Sequence, residues 1–176
     1  VDDRWCFIHA TQMTEEETLG LAASKAVAGL CPITEGNLGD GIFNGATFLG
    51  AGGRFGVGSD SNIRISLSEE LRQLEYSQRL KHRRRNVMVA GGQSTGTTLF
   101  KAVANGGAQA LQRDAGALET GRLADLVAID TQNTTLAGLR EDQLIDGWLF
   151  AGNDDVVSDV WSAGRHMVRE GRHIAR

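Results

Sequence analysis

Phe55-Gly56-Val57-Gly58-Ser59-Asp60-Ser61 runs from a short apolar stretch into small and polar residues, and a long amphipathic segment follows from about Ser68. The first residues have strand length, the serines and the aspartate end the run, and Leu71, Leu74, Tyr76 and Leu80 supply an apolar face at helical spacing. The reading is strand, polar loop, helix. Two similar units precede it. Trp5-Cys6-Phe7-Ile8 ends at His9, after which Thr14-Glu15-Glu16-Glu17 matches a helix capping box leading into Leu19, Leu21, Ala22 and Ala26. Val27 to Cys31 is the next apolar run; it is expected to end in a polar, glycine-rich loop over 34–41, followed by a short helix from Phe43 to Ala51 closed by Gly52-Gly53.

Three such units, each with its polar cluster just after the strand, predict an α/β fold corresponding to the last part of a (β/α)8 barrel, where catalytic groups sit at strand C-terminal ends. A doubly wound sheet would give the same order of elements. Residues 97–112 are expected to form one or two helices interrupted at Gly106-Gly107 and packed on the outside of the barrel. From Gly116 the texture changes. Gly121 to Asp130 reads as a turn into a short buried strand, Glu141 to Phe150 as a helix, and Val156 to Trp161 with His166 to Val168 as a hairpin around Ala163-Gly164-Arg165. The expected division is a barrel segment over 1–115 and part of a small β-rich domain over 116–176.

The 176 residues are 41% hydrophobic and 23% charged, a composition suited to burying a core. A net charge of -4 gives no electrostatic reason to expect nucleic acid or an anionic membrane as partner. The basic run Lys81-His82-Arg83-Arg84-Arg85 reads as a solvated helix end. Cys6 and Cys31 lie in apolar runs, where cysteine serves as a small buried hydrophobe, and the absence of a cysteine framework points to the reducing cytoplasm. No apolar stretch approaches the roughly 20 residues that span a bilayer. The chain opens at Val1 and enters a strand almost at once, which leads us to expect preceding residues in a longer protein. Gly52-Gly53, Gly56-x-Gly58 and Gly91-Gly92 read as turn and packing glycines, because no phosphate-loop motif surrounds them.

The candidate chemistry lies at His9 and Asp60. Each alone has a structural reading, the histidine as a hydrogen-bonding residue and the aspartate as a turn or helix cap. Together, at the ends of neighbouring barrel strands, they would face one mouth, where an aspartate can bind metal and a histidine can assist proton transfer. They cannot complete a catalytic zinc site, which takes about three protein ligands. The chain has no HxH or HExxH, and His82, His166 and His173 stand in apparently exposed or basic contexts.

His9-Ala10-Thr11 after one strand, Gly58-Ser59-Asp60-Ser61 after another, and Gly116-x-Leu118-x-x-Gly121-x-x-Ala124-Asp125-Leu126-Val127 further on resemble the amidohydrolase superfamily. The resemblance implies that His9 closes the sixth barrel strand, that Asp60 closes the eighth, and that the chain then returns to a β-sandwich domain. Within the superfamily, residues 30–41 (Leu30-Cys31-Pro32-Ile33-Thr34-Glu35-Gly36-Asn37-Leu38-Gly39-Asp40-Gly41) and the helix from Glu69 to Leu80 resemble the formimidoylglutamate deiminases. These enzymes hydrolyse N-formimino-L-glutamate to N-formyl-L-glutamate and ammonia in histidine degradation. The resemblance further implies one zinc ion with Asp60 as a ligand and proton acceptor, and His9 either assisting proton transfer or orienting the hydroxide and tetrahedral intermediate, without being a principal ligand. Gln12 stands where some members of the superfamily carry a second histidine. The remaining zinc ligands and the residues that hold the substrate carboxylates are expected upstream, so the isolated chain is expected to be inactive. Two alternatives stay open: another deaminase of the superfamily acting on a cyclic amidine or aromatic amine, of guanine or adenosine type, and an inert α/β binding piece. The expected partners are a small-molecule substrate and a second copy of the chain in a homodimer.

Overall fold

The computed structural model describes residues 1–176, which build two sheets. Strands β1 (Cys6–Ile8), β2 (Val27–Leu30) and β3 (Arg54–Val57) lie parallel in that order, with Cys6 beside Val27 and Val27 beside Arg54. Parallel neighbours cannot be joined by tight hairpins, so helices make the returns. Helix α1 (Glu15–Ser24) leads from β1 to β2. Its start is the reciprocal capping box expected from the sequence: the Glu17 N–H donates to Thr14 Oγ1, and the Thr14 N–H donates to the Glu17 carboxylate.

The second return differs from the expected polar loop over 34–41. Residues Pro32–Leu38 form helix α2 directly after β2, and Gly39 closes it in the left-handed conformation at φ 71°. Proline suits the first turn of a helix because its missing N–H is one the helix leaves unpaired anyway. A short helix, α3 (Gly45–Gly50), follows before β3.

After β3 come α4 (Leu67–His82) and α5 (Thr95–Ala110), capped by Ser66 and Ser94. Leu71 and Leu74 are buried on α4 as their spacing suggests, whereas Leu80 is 80% exposed and Tyr76 stacks on Phe150. The rest of the buried face of α4 is polar. Glu70, Glu75 and Gln78 are each buried and bonded to backbone of other segments: Glu70 to the Ile33 N–H, Glu75 to the Val87 and Met88 N–H groups, and Gln78 to the Phe43 carbonyl. Lys81 and His82 form the exposed end of the helix, and Arg83 terminates it in the left-handed region.

Helix α5 is continuous across Gly106-Gly107, contrary to the expected break. The glycines are there for close approach. A Cβ on Gly106 would overlap the Phe55 backbone, and one on Gly56 would crowd the backbone of Gly107, so helix and strand are in contact main chain to main chain.

The second sheet is antiparallel, in the order β4 (Leu126–Ile129), β5 (Val157–Ser162), β6 (Arg165–Arg169) and β7 (Arg172–His173). Ala163 and Gly164, both at positive φ, make the turn between β5 and β6. β4 is less buried than its apolar sequence suggests, with Val127 48% exposed. His166 is more sheltered than expected: it stacks on Trp161 and its Nε2 lies 2.7 Å from Asp159. Between β4 and β5, helix α6 (Asp142–Phe150) packs on α4 and α5. A single cluster of 17 buried hydrophobic residues therefore runs from Leu21 and the first sheet to Trp148, Leu149 and Val156. No helix is long and apolar enough to cross a membrane.

Candidate active site

The C-terminal ends of β1, β2 and β3 open on the same side of the sheet, because the strands are parallel and in register. His9 follows β1 and Asp60 comes shortly after β3, and the two side chains converge across the end of β2 with His9 Nε2 3.9 Å from Asp60 Oδ2. Both residues adopt positive φ, 65° at His9 and 50° at Asp60, and Ala10 follows at 52°. Left-handed backbone at non-glycine residues costs free energy and clusters where a turn must aim a side chain. Here it turns each side chain out of its strand and into the shared mouth.

The β2–α2 unit braces both turns. Thr34 donates its hydroxyl to the Ser59 carbonyl at 3.0 Å, next to Asp60. Asn62 reaches the same carbonyl and, at 3.1 Å, the Thr34 hydroxyl. On the other side Thr11 donates to the Asp40 carbonyl at 2.8 Å, and the Gln12 side-chain amide donates to that oxygen as well. Gln12 thus ties the loop after β1 to the end of the α2 segment.

Two further groups lie at the mouth and a third lies behind it, and none was singled out from the sequence as part of a site. Glu35, 6% exposed at its side chain, places Oε1 3.2 Å from His9 Nδ1 and accepts the Cys31 N–H at 2.7 Å. Burial raises its carboxyl above the usual range, opposed by these two hydrogen-bonding neighbours. Cys31 is indeed buried, but its sulfur belongs to a group with the His9 nitrogen and an Asp60 oxygen in which all atoms lie within 4.8 Å of one another. Burial, followed by the carboxylates of Glu35, Asp60 and Glu70, pushes its thiol up to about 11. The protonated thiol is a weak metal donor, since the thiolate is the ligand form. Glu70 lies behind, also raised by burial and held by the Ile33 N–H at 2.9 Å. A signal for Glu35 was present: proline at the first helical position followed by an acid in the first turn marks a helix start rather than a loop.

Asp60 is therefore the residue best suited to hold a cation. It stands partly open at the mouth, with no protein hydrogen bond tying up its oxygens and an imidazole beside it. Chemically, the pair can exchange protons with a small molecule above the sheet.

Comparison with known proteins identifies the family. Residues 3–167 match the Amidohydrolase family. The chain belongs to the amidohydrolase family. It is 52% identical over 174 residues to the formimidoylglutamate deiminase of Pseudomonas aeruginosa, an alignment covering 98% of this chain and 38% of that protein. The crystal structure of an amidohydrolase from Brucella melitensis superposes with a TM-score of 0.92 at 50% identity, over 100% of this chain and 39% of the other. A more distant structure, an adenosine deaminase from Xanthomonas campestris with bound zinc, shares the fold at a TM-score of 0.88 and 24% identity, over 100% of this chain and 39% of the other. This amidohydrolase chain spans less than two fifths of the length of these relatives.

Proposed function

We propose that these residues are the C-terminal part of a formimidoylglutamate deiminase, an enzyme that hydrolyses N-formimino-L-glutamate to N-formyl-L-glutamate and ammonia in histidine breakdown. The observation that carries the reading is the convergence of His9 and Asp60 at one mouth, 3.9 Å apart, in a chain 52% identical to a deiminase of that name. On this reading β1, β2 and β3 are three strands of a (β/α)8 barrel. Their sequential parallel order and the likeness to the Brucella melitensis amidohydrolase over the whole chain support it. Residues 1–115 would then be barrel and 116–176 part of a small β-sandwich domain, with α6 returning to pack against the barrel helices.

A zinc ion fits the donor chemistry of the mouth. Asp60 would hold it, together with ligands contributed from outside these residues, and the metal would supply the Lewis acidity that brings the pKa of water to about 7. The work of this chain is proton transfer. Asp60 accepts a proton from the water that attacks the formimino carbon, and His9 assists in passing it to the nitrogen that leaves as ammonia. The hydroxyl oxygen stays on carbon as the formyl carbonyl, so the reaction balances as formimino group plus water to formyl group plus ammonia.

Ammonia release from N-formimino-L-glutamate, guanine and adenosine by the full-length protein tests the reading. Turnover of the first substrate is expected. Turnover of guanine or adenosine with none of the formimino compound would place the enzyme among the aromatic amine deaminases instead.

A further inference from the structure

Two groups flank the His9 ring, and they face different nitrogens. Nδ1 lies 3.2 Å from Glu35 Oε1, and Nε2 points to Asp60 at 3.9 Å. Glu35 belongs to α2, is buried, and its carboxylate is fixed from below by the Cys31 N–H at 2.7 Å. Glu35 Oε1 already serves as the acceptor for the Cys31 N–H, and as an acceptor for its second neighbour too it calls for the hydrogen on the ring nitrogen it meets. We propose that Glu35 is a positioning residue for the deiminase reaction: it holds the neutral His9 ring as the Nδ1–H tautomer and leaves the Nε2 lone pair facing Asp60 and the substrate.

The arrangement has two consequences. His9 is poised to accept a proton at Nε2 and to return it to the leaving nitrogen, while Nδ1 stays bonded to Glu35 throughout. The ring is also kept from rotating, although its own turn places it in left-handed backbone at φ 65°, where the main chain alone does not fix the side chain. Outer partners of this kind commonly change activity by about 10- to 100-fold when removed. This inference rests on the functional reading for the reaction it serves, but the tautomer is a property of these residues and can be measured without turnover.

The test joins two readouts on the full-length protein. In 15N-histidine-labelled protein, His9 is expected to be the Nδ1–H tautomer, and Glu35→Ala is expected to release it to a mixture of tautomers. A wild-type His9 protonated at Nε2 instead would overturn the proposal with no variant needed, as would a tautomer unchanged in Glu35→Ala. In kinetics, Glu35→Ala is expected to lower kcat about tenfold or more with KM changed less than about twofold. Glu35→Gln, which keeps a carbonyl oxygen for both N–H groups, is expected to restore most of that loss. In a His9→Gln background, Glu35→Ala is expected to have almost no further effect on kcat, because its action passes through His9. Full additivity of the two substitutions would overturn the proposal. If the full-length protein does not turn over N-formimino-L-glutamate, the functional reading falls, and the tautomer measurement still decides the role of Glu35.

Discussion

His9 and Asp60 occupy left-handed backbone that most residues avoid, and both lie just past strand ends. Histidine, aspartate and asparagine tolerate that conformation better than other side chains. Asp60→Asn should therefore leave thermal unfolding of the chain nearly unchanged while lowering kcat of the full-length protein by at least about 100-fold, since it removes the proton acceptor but not the turn. Unfolding curves and steady-state kinetics check the two halves separately. A large loss of stability would mean that the carboxylate serves the turn rather than the chemistry. Both residues were legible in the sequence because an apolar strand ending in a polar residue is a local pattern. Glu35 and Cys31 were not picked out, since their part in the site depends on how β2 and α2 lie between β1 and β3. Nothing in the local pattern distinguishes the Cys31 thiol from any other buried cysteine. Only the fold buries the Cys31 thiol and brings Glu35, Asp60 and Glu70 near it, which together push the thiol up.

At the scale of elements, α2 and α4 do most to position the mouth. α2 reaches His9 through Glu35 and the Asp60 turn through Thr34, while the buried Glu70 of α4 anchors the first turn of α2 at the Ile33 N–H. Further along α4, Glu75 is buried beneath the segment before α5, accepting the Val87 and Met88 N–H groups and pairing with Arg79 at 2.7 Å. Glu75→Ala strands two backbone donors in the interior, and the expected cost is about 3 kcal/mol of stability, measured by urea unfolding. Gly106→Ala should cost about 2 kcal/mol in the same assay, because the added methyl forces α5 away from Phe55. These two positions mark where sequence reading fell short. The glycines on α5 read as a helix break because propensity penalises them, yet main-chain contact with β3 outweighs that penalty. On α4, hydrophobic spacing alone could not reveal which carboxylates cap distant backbone. The capping box at Thr14, by contrast, was fully legible, being written in adjacent residues.

For the whole molecule, parallel strands joined by helices were readable from the repeated strand-loop-helix texture, which left a barrel and a doubly wound sheet open, and the hairpin after Gly116 was readable from the turn spacing. What the texture could not give is the return of α6 to the first core, where Trp148 and Leu149 join residues more than a hundred positions away. On the proposed reading Asp60 and His9 would be the proton-handling side of a metal site, and the His9, Cys31 and Asp60 group offers too few strong donors to complete a zinc centre. The isolated 176-residue chain should accordingly release no ammonia from N-formimino-L-glutamate with zinc added, as a coupled ammonia assay would show. The full-length protein tests the central claim most directly. With zinc, it should release one ammonia and form one N-formyl-L-glutamate per N-formimino-L-glutamate consumed, and Asp60→Asn should abolish both. Unchanged turnover in Asp60→Asn, or no turnover of this substrate by the unsubstituted protein, would contradict the account.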